Sequence, residues 1–229
     1  MSGHSHFAES IEQYLEGVYR LEREGPGVTT SGLASELGVA PASVSGMLKK
    51  LAAEGYVEHV ARGEVRLTRK GLEIAVRVLR RHRLAECFLT DVLGMGWDAV
   101  HADACMLEHA ISDDVEKRLV AFLGDPQNCP HGHPIPPKDL SDPIRRGMPL
   151  AQLEAGFSAT VCGVSEEVPE ILRYLGDVGL RPGASVAVQQ KAPLGGPMTV
   201  KVGEREYPIS IELARMVIVD QERALATPA

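Results

Sequence analysis

His82 and Glu86 stand four residues apart in a stretch of helical spacing, and His101, Cys105, Glu108 and His109 follow at offsets of 0, 4, 7 and 8. At about 100° per residue the first pair shares one helix face, and the second four form a strip about 100° wide. Imidazole, thiolate and carboxylate groups on two neighbouring helices can surround one or two divalent ions. The mixed nitrogen, sulfur and oxygen set suits a mid-to-late first-row metal better than magnesium or calcium. Each residue alone has a plainer reading: a surface histidine, a small core cysteine, a solvated acid, or an acid paired with Arg80, Arg81 or Arg83. Their joint spacing is what points to a metal.

A second constellation lies upstream. Ala34, Gly38, Val44 and Met47 fall at offsets 0, 4, 10 and 13. These supply the small crossing residue, the positive-φ turn and the apolar anchors that a helix-turn-helix requires. The second helix of that unit presents Ala42, Ser43, Gly46, Lys49 and Lys50 outward. Small side chains near its start allow entry into a major groove, and the lysines reach phosphates. Arg62, at a hairpin tip, reads as a wing against the backbone. A plain helical hairpin with solvated lysines is the alternative, and the basic charge of the segment weighs against it. Ala42 and Gly46 bond base edges poorly, so specificity leans on Ser43, thymine methyls and DNA shape.

The elements that must position these groups follow from periodicity. Ile11, Tyr14, Leu15, Val18, Tyr19 and Leu21 predict a helix over 8–24, ended by Gly25-Pro26-Gly27. Two short helices follow, the second starting at Pro41. Tyr56–Val60 and Val65–Leu67 predict a hairpin. Helices are expected over 72–93, 98–110 and 112–123. The prolines between 125 and 147 predict a stiff extended linker without regular elements. Beyond it, Ala159–Val164, Ser185–Gln190, Met198–Val202, Glu206–Ile209 and Met216–Val219 read as short strands around one helix at Pro169–Leu175. This is the pattern of a small barrel.

Charge separates these regions. The 229 residues carry 24 bases and 31 acids, net −7, which on its face disfavours a nucleic-acid partner. Resolved by segment, residues 46–81 hold nine bases against four acids, net +5. Residues 82–147 are −5 with five of the eight histidines, and 148–229 are −3. A basic reading head beside an acidic, histidine-rich block implies two tasks. No apolar run reaches the roughly 18 residues that span a bilayer, and no signal-peptide core opens the chain. With four cysteines lacking CxxC pairing, the expectation is a cytoplasmic protein with reduced thiols and no membrane partner.

Together the two constellations resemble the diphtheria-toxin-repressor family of metal-activated winged-helix repressors. The resemblance rests on Ser10–Tyr19, Arg81–Glu86, Val100–His109 and Pro130–Pro136, and covers residues 8–140 closely. Residues 148–223 resemble the SH3-like domain of the same family and the small ferrous-transport accessory domain, through Leu150–Leu153, Leu175–Gly183 and Ala192–Gly195. The implied fold is a mainly α N-terminal winged helix-turn-helix (1–73), then a helical metal-binding and dimerisation domain with its Pro-rich linker (74–147), then a small all-β SH3-like barrel (148–229).

The resemblance assigns His82, Glu86 and His101 to an ancillary metal site. It assigns Cys105, Glu108 and His109 to a primary one, with Gln13 on the first helix as the remaining ligand. Family members place Met or Asp at that position, so Gln13 is a departure. Its neutral amide oxygen weakens the choice of metal, while Cys105 favours iron. The implied effector is Fe(II) first and Mn(II) second, with one or two ions per subunit. Glu166 and Glu167 stand where the SH3-like domain lends ligands in some members. Cys129, His131 and His133 suggest a third site, but the corresponding family loop is structural.

The function implied is a metal-activated repressor that binds a palindromic DNA operator as a homodimer and controls metal-homeostasis genes. Phe88, Leu89, Val92, Val115, Leu119 and Phe122 are candidates for the twofold interface. A metallohydrolase is the rival from another class, though no HExxH, nucleophile elbow or phosphate loop is present. An accessory protein of iron transport is a further rival, and it leaves the helix-turn-helix unexplained.

Overall fold

The structure is a computed structural model that describes residues 3–25, 27–59, 64–141, 147–165 and 167–220. Two compact units divide the chain: Met1–His82 with Met106–Asp113 and Pro136–Asp142, and Arg83–Cys105 with Asp114–Ile135 and Pro143–Ala229.

In the first unit, helix α1 (Gly3–Glu24) buries Ile11, Tyr14, Leu15, Val18 and Tyr19, the face its periodicity predicts. Helix α2 (Thr30–Leu37) begins at the Thr29 side chain, which accepts from the Gly32 amide at 3.1 Å. It ends on Gly38 at φ 64°, whose amide returns to Ala34 and Ser35. A side chain there would meet the left-handed penalty, so glycine sets the turn. Pro41 opens α3 (Pro41–Ala53), which buries Val44, Leu48 and Leu51. Strands β1 (Val57–His59) and β2 (Val65–Leu67) pair antiparallel, and Val28 bridges to Val65. The expected hairpin tip, Arg62 included, lies outside the described residues. Helix α4 begins in this unit and runs over Arg69–Cys87. Its first turn is tied down by Thr68, whose hydroxyl accepts from the Gly71 amide at 3.2 Å.

In the second unit the long helix does not continue regularly to residue 93, as periodicity predicts. Its last turn, Phe88–Val92, widens to π-type bonding, with the Leu93 amide donating to the Phe88 carbonyl at 3.3 Å. Helices α5 (Val100–Leu107) and α6 (Asp113–Phe122) follow, somewhat shorter than expected.

The Pro-rich stretch is not an extended linker throughout. Asn128 bridges to Pro134, Cys129 donates to the His133 carbonyl, and Ile135 donates to the Gln127 carbonyl. Prolines lack only their own amide, so the intervening residues still close a hairpin-like loop.

A six-stranded antiparallel sheet completes the unit, in the order β3-β8-β4-β5-β6-β7. Its strands are β3 (Met148–Pro149), β4 (Ser158–Val164), β5 (Ser185–Lys191), β6 (Met198–Val202), β7 (Arg205–Ile209) and β8 (Val217–Asp220). Helix α7 (Pro169–Asp177) and the short α8 (Ile211–Met216) pack with it. Met216 belongs to α8, where a strand start was expected, because Ser210 caps that turn through the Leu213 amide. Trp97 joins the sheet core beside Leu150, Leu172, Leu175 and Val186.

The expected fold class holds: a helical N-terminal region with a reading head, then a small antiparallel sheet domain.

Candidate metal centre and nucleic-acid face

In the first unit the side chains form one relay. His82, from α4, donates through Nδ1 to Glu108 Oε2 at 2.6 Å, and both are buried. The other Glu108 oxygen lies 3.3 Å from His109 Nε2. His109 Nδ1 in turn donates to Glu12 Oε2 at 2.7 Å, and Arg77 stands 3.6 Å from Glu12 Oε1. Burial pushes the Glu108 carboxyl up, His82 pulls it back, and Glu16 adds to the rise. Gln13 is exposed, and the α1 side chain bonded to His109 is Glu12. Glu16, also on α1 and buried, takes a two-pronged bond from Arg20.

In the second unit a different set converges on Glu86, which is fully buried. His131 donates through Nε2 to the Trp97 carbonyl at 2.7 Å, and a carbonyl can only accept. The other nitrogen, Nδ1, therefore faces Glu86 Oε1 at 3.3 Å, Glu167 Oε1 at 3.8 Å and Cys129 Sγ at 3.9 Å. From α5, His101 Nδ1 lies 2.9 Å from Glu167 Oε2 and 3.7 Å from Glu86 Oε1. His101 Nε2 lies 3.6 Å from Cys105 Sγ. His133 Nε2 is 3.1 Å from Glu167 Oε1. Glu166 lies outside the described residues.

The local fold explains this convergence. Gly132 sits at φ 86°, where a Cβ would come within 2.0 Å of the Cys162 carbonyl oxygen. That close approach seats the 127–135 loop on β4, and the Val164 amide donates to the His131 carbonyl at 3.0 Å.

The donor set fits a transition-metal ion. Atoms bound at about 2.0–2.3 Å to one ion stand roughly 3–4 Å apart, and the Nδ1 contacts of His131 fall at 3.3, 3.8 and 3.9 Å. Ligand atoms of Glu86, Cys129 and His131 all lie within 4.8 Å of one another, as do those of Glu86, His101 and Glu167. Glu167 Oε2 is buried and makes no aligned hydrogen bond, although His101 Nδ1 is 2.9 Å away. Two donor atoms that close and misaligned suit a third atom between them better than a bond to each other.

The electrostatics agree. Cys105, Glu167 and Glu86 push His101 up to about 11. Burial opposes a charge on His131, but Cys129, Glu86 and Glu167 outweigh it and carry the group to about 11. Burial pushes the Cys129 thiol up to about 12. Against its own burial, Glu167 is held well below the carboxylate range by His101 and His133. The pocket is built for positive charge.

On α3, Ala42, Ser43, Gly46, Lys49 and Lys50 are all exposed while Val44 and Leu48 are buried, so the expected outer face is the observed one.

Three family models match consecutive segments. They are the iron dependent repressor N-terminal DNA binding domain over 6–65, its metal binding and dimerisation domain over 68–137, and the FeoA domain over 148–221. The iron-dependent repressor IdeR of Mycobacterium tuberculosis is 34% identical over 226 residues, covering 93% of this chain and 97% of its own. The chain belongs to the iron-dependent repressor family. Another family protein, the diphtheria toxin repressor of Corynebacterium diphtheriae, is 37% identical over 131 residues, 57% of this chain and 58% of its own. A solved structure of a manganese-dependent transcriptional repressor in complex with manganese superimposes at a TM-score of 0.84. It is 33% identical and covers 93% of this chain and all of that one.

Of the sequence-based sets, Glu86 and His101 meet Glu167, and His82 is also bonded to Glu108. Glu12 was not anticipated, and no local signal distinguishes it from Gln13. Cys129 and His131 carried a signal in their Cys-x-His spacing; the structure adds that both face Glu86.

Proposed function

We propose that this chain is a repressor switched on by a divalent transition metal, with Fe(II) as effector. The observation that carries the proposal is that donor atoms of Cys129 and His131 on one side, and of His101 and Glu167 on the other, gather about the buried Glu86 carboxylate. Glu86, His101, Glu167, Cys129 and His131 would hold one ion. Glu108 and His109, with an α1 residue such as Gln13, would hold a second. When bound, the ion supplies positive charge that offsets the carboxylates and cross-links their elements. The thiol of Cys129 favours iron over manganese. Mn(II) is the second reading, because a manganese-dependent repressor is similar along 93% of this chain.

The chain's own residues do the rest. Glu12 and His109 already tie α1 to the turn that follows α5, inside the unit that carries α3. Stabilising that tie stabilises one placement of the reading head, and DNA must reciprocally tighten metal binding. Lys49 and Lys50 would meet phosphates, Arg62 would serve as wing, and Ala42, Ser43 and Gly46 would enter the groove.

A homodimer would form over α6, where Val115 and Phe122 are 45% and 69% exposed one heptad apart. Leu89 is buried within its own protomer and does not contribute. Twofold symmetry then implies a palindromic operator with half-sites about one helical turn apart. The three modules would be 1–73, 74–147 and 148–229.

The test is fluorescence anisotropy with host genomic fragments under anaerobic Fe(II), Mn(II), Zn(II) or chelator, with bound metal measured alongside. Binding that requires Fe(II) supports the reading. Equal binding under chelator overturns it, and a response to Mn(II) alone selects the second reading.

A further inference from the structure

An imidazole can bind an ion through only one nitrogen while the other carries its proton, so whatever bonds the second nitrogen decides which face is offered. In this chain His109 Nε2 faces Glu108 Oε1 at 3.3 Å, the spacing of two ligand atoms on one ion. Its Nδ1 donates to Glu12 Oε2 at 2.7 Å. The second Glu12 oxygen lies 3.6 Å from the Arg77 guanidinium of α4, which keeps the carboxylate turned toward His109. The contact is well shielded, with the His109 and Glu12 side chains only 17% and 20% exposed.

We propose that Glu12 is a positioning residue: it fixes the His109 proton on Nδ1, keeps the Nε2 lone pair for the ion, and makes α1 an indirect partner in coordination. This rests on the reading of Glu108 and His109 as ligands. It differs from that reading in assigning the first helix a carboxylate outside the coordination sphere, one residue before Gln13. Arg77 completes a carboxylate–histidine arrangement that joins α1, α4 and the turn after α5 within one unit.

Two measurements test it on the full-length protein. In the metal-free state, 15N correlation spectra of labelled histidine report which His109 nitrogen is protonated. The wild type is expected to show an Nδ1–H form, and Glu12→Ala a shift toward the Nε2–H form or a mixture. Mn(II) binding, followed by the EPR signal of free ion, should weaken about 10- to 100-fold in Glu12→Ala, the usual range for such outer partners. The relevant sites are the class that His109→Ala removes. Glu12→Gln should recover part of the loss, because an amide oxygen still accepts the N–H. In a His109→Ala background, Glu12→Ala should cause no further loss. Unchanged Nδ1 protonation together with Mn(II) affinity within twofold in Glu12→Ala overturns the proposal. If His109→Ala itself leaves every Mn(II) site intact, the ligand reading fails instead. Circular dichroism melts of each variant separate both results from unfolding.

Discussion

His82 Nδ1 lies 2.6 Å from Glu108 Oε2, joining two side chains that the family resemblance assigns to different metal sites. The bond is buried from both ends, so each group satisfies the other in a place where water cannot. Removing both partners should therefore cost less than the two single losses combined. His82→Ala, Glu108→Ala and the double variant, unfolded in urea without metal, are expected to show a coupling of about 0.5–3 kcal/mol. Strict additivity would mean the contact contributes nothing to the fold.

Cys129 and His131 belong to a loop, yet they face the same buried carboxylate. Cys129→Ala should leave the fold largely intact, since a small side chain replaces a small one in the cluster with Leu84, Cys87 and Ile135. It should weaken ion binding by about tenfold or more and abolish the thiolate-to-metal absorbance of the Co(II) form. Persistence of that band in Cys129→Ala, with its loss in Cys105→Ala, would assign the thiolate to the helix instead.

Stability without metal should fall as pH rises. His101 and His131 stand at about 11 in the folded chain against an ordinary 6.5. A histidine raised on folding contributes fully below its unfolded value, and the contribution fades as pH climbs through the folded one. The urea midpoint of metal-free protein is thus expected to be higher at pH 6 than at pH 9. An ion replaces those protons, so metal affinity should climb across the same window. A metal-free midpoint that rises from pH 6 to 9 would contradict the assignment of these two cations.

Lys49 is exposed on α3 beside Gly46, with Leu48 buried behind it. If it neutralises one phosphate, Lys49→Ala should weaken binding to all sequences alike and flatten the logarithmic salt slope by about one unit. Anisotropy titrations over several salt concentrations read this directly. A change in sequence preference with an unaltered slope would place Lys49 at a base.

The strip expected of Cys105, Glu108 and His109 is cut by the end of α5 at Leu107, which leaves Glu108 and His109 in the turn beyond it. Turn chemistry at Gly38 and Pro41, by contrast, set the reading helix, a local effect legible within a dozen residues. The net charge of −7, resolved into a basic head and an acidic block, was equally a property of the chain. Which α1 residue reaches His109 was not. Glu12 and Gln13 differ by about 100° around the helix, and which of them meets His109 depends on where the 106–113 segment packs against α1. The approach of Cys129 and His131 to Glu86 likewise depends on Gly132 seating its loop against the backbone of β4. Spacing along one element belongs to the covalent chain. Pairing between elements is decided by packing among residues far apart in sequence, and only the tertiary structure supplies it.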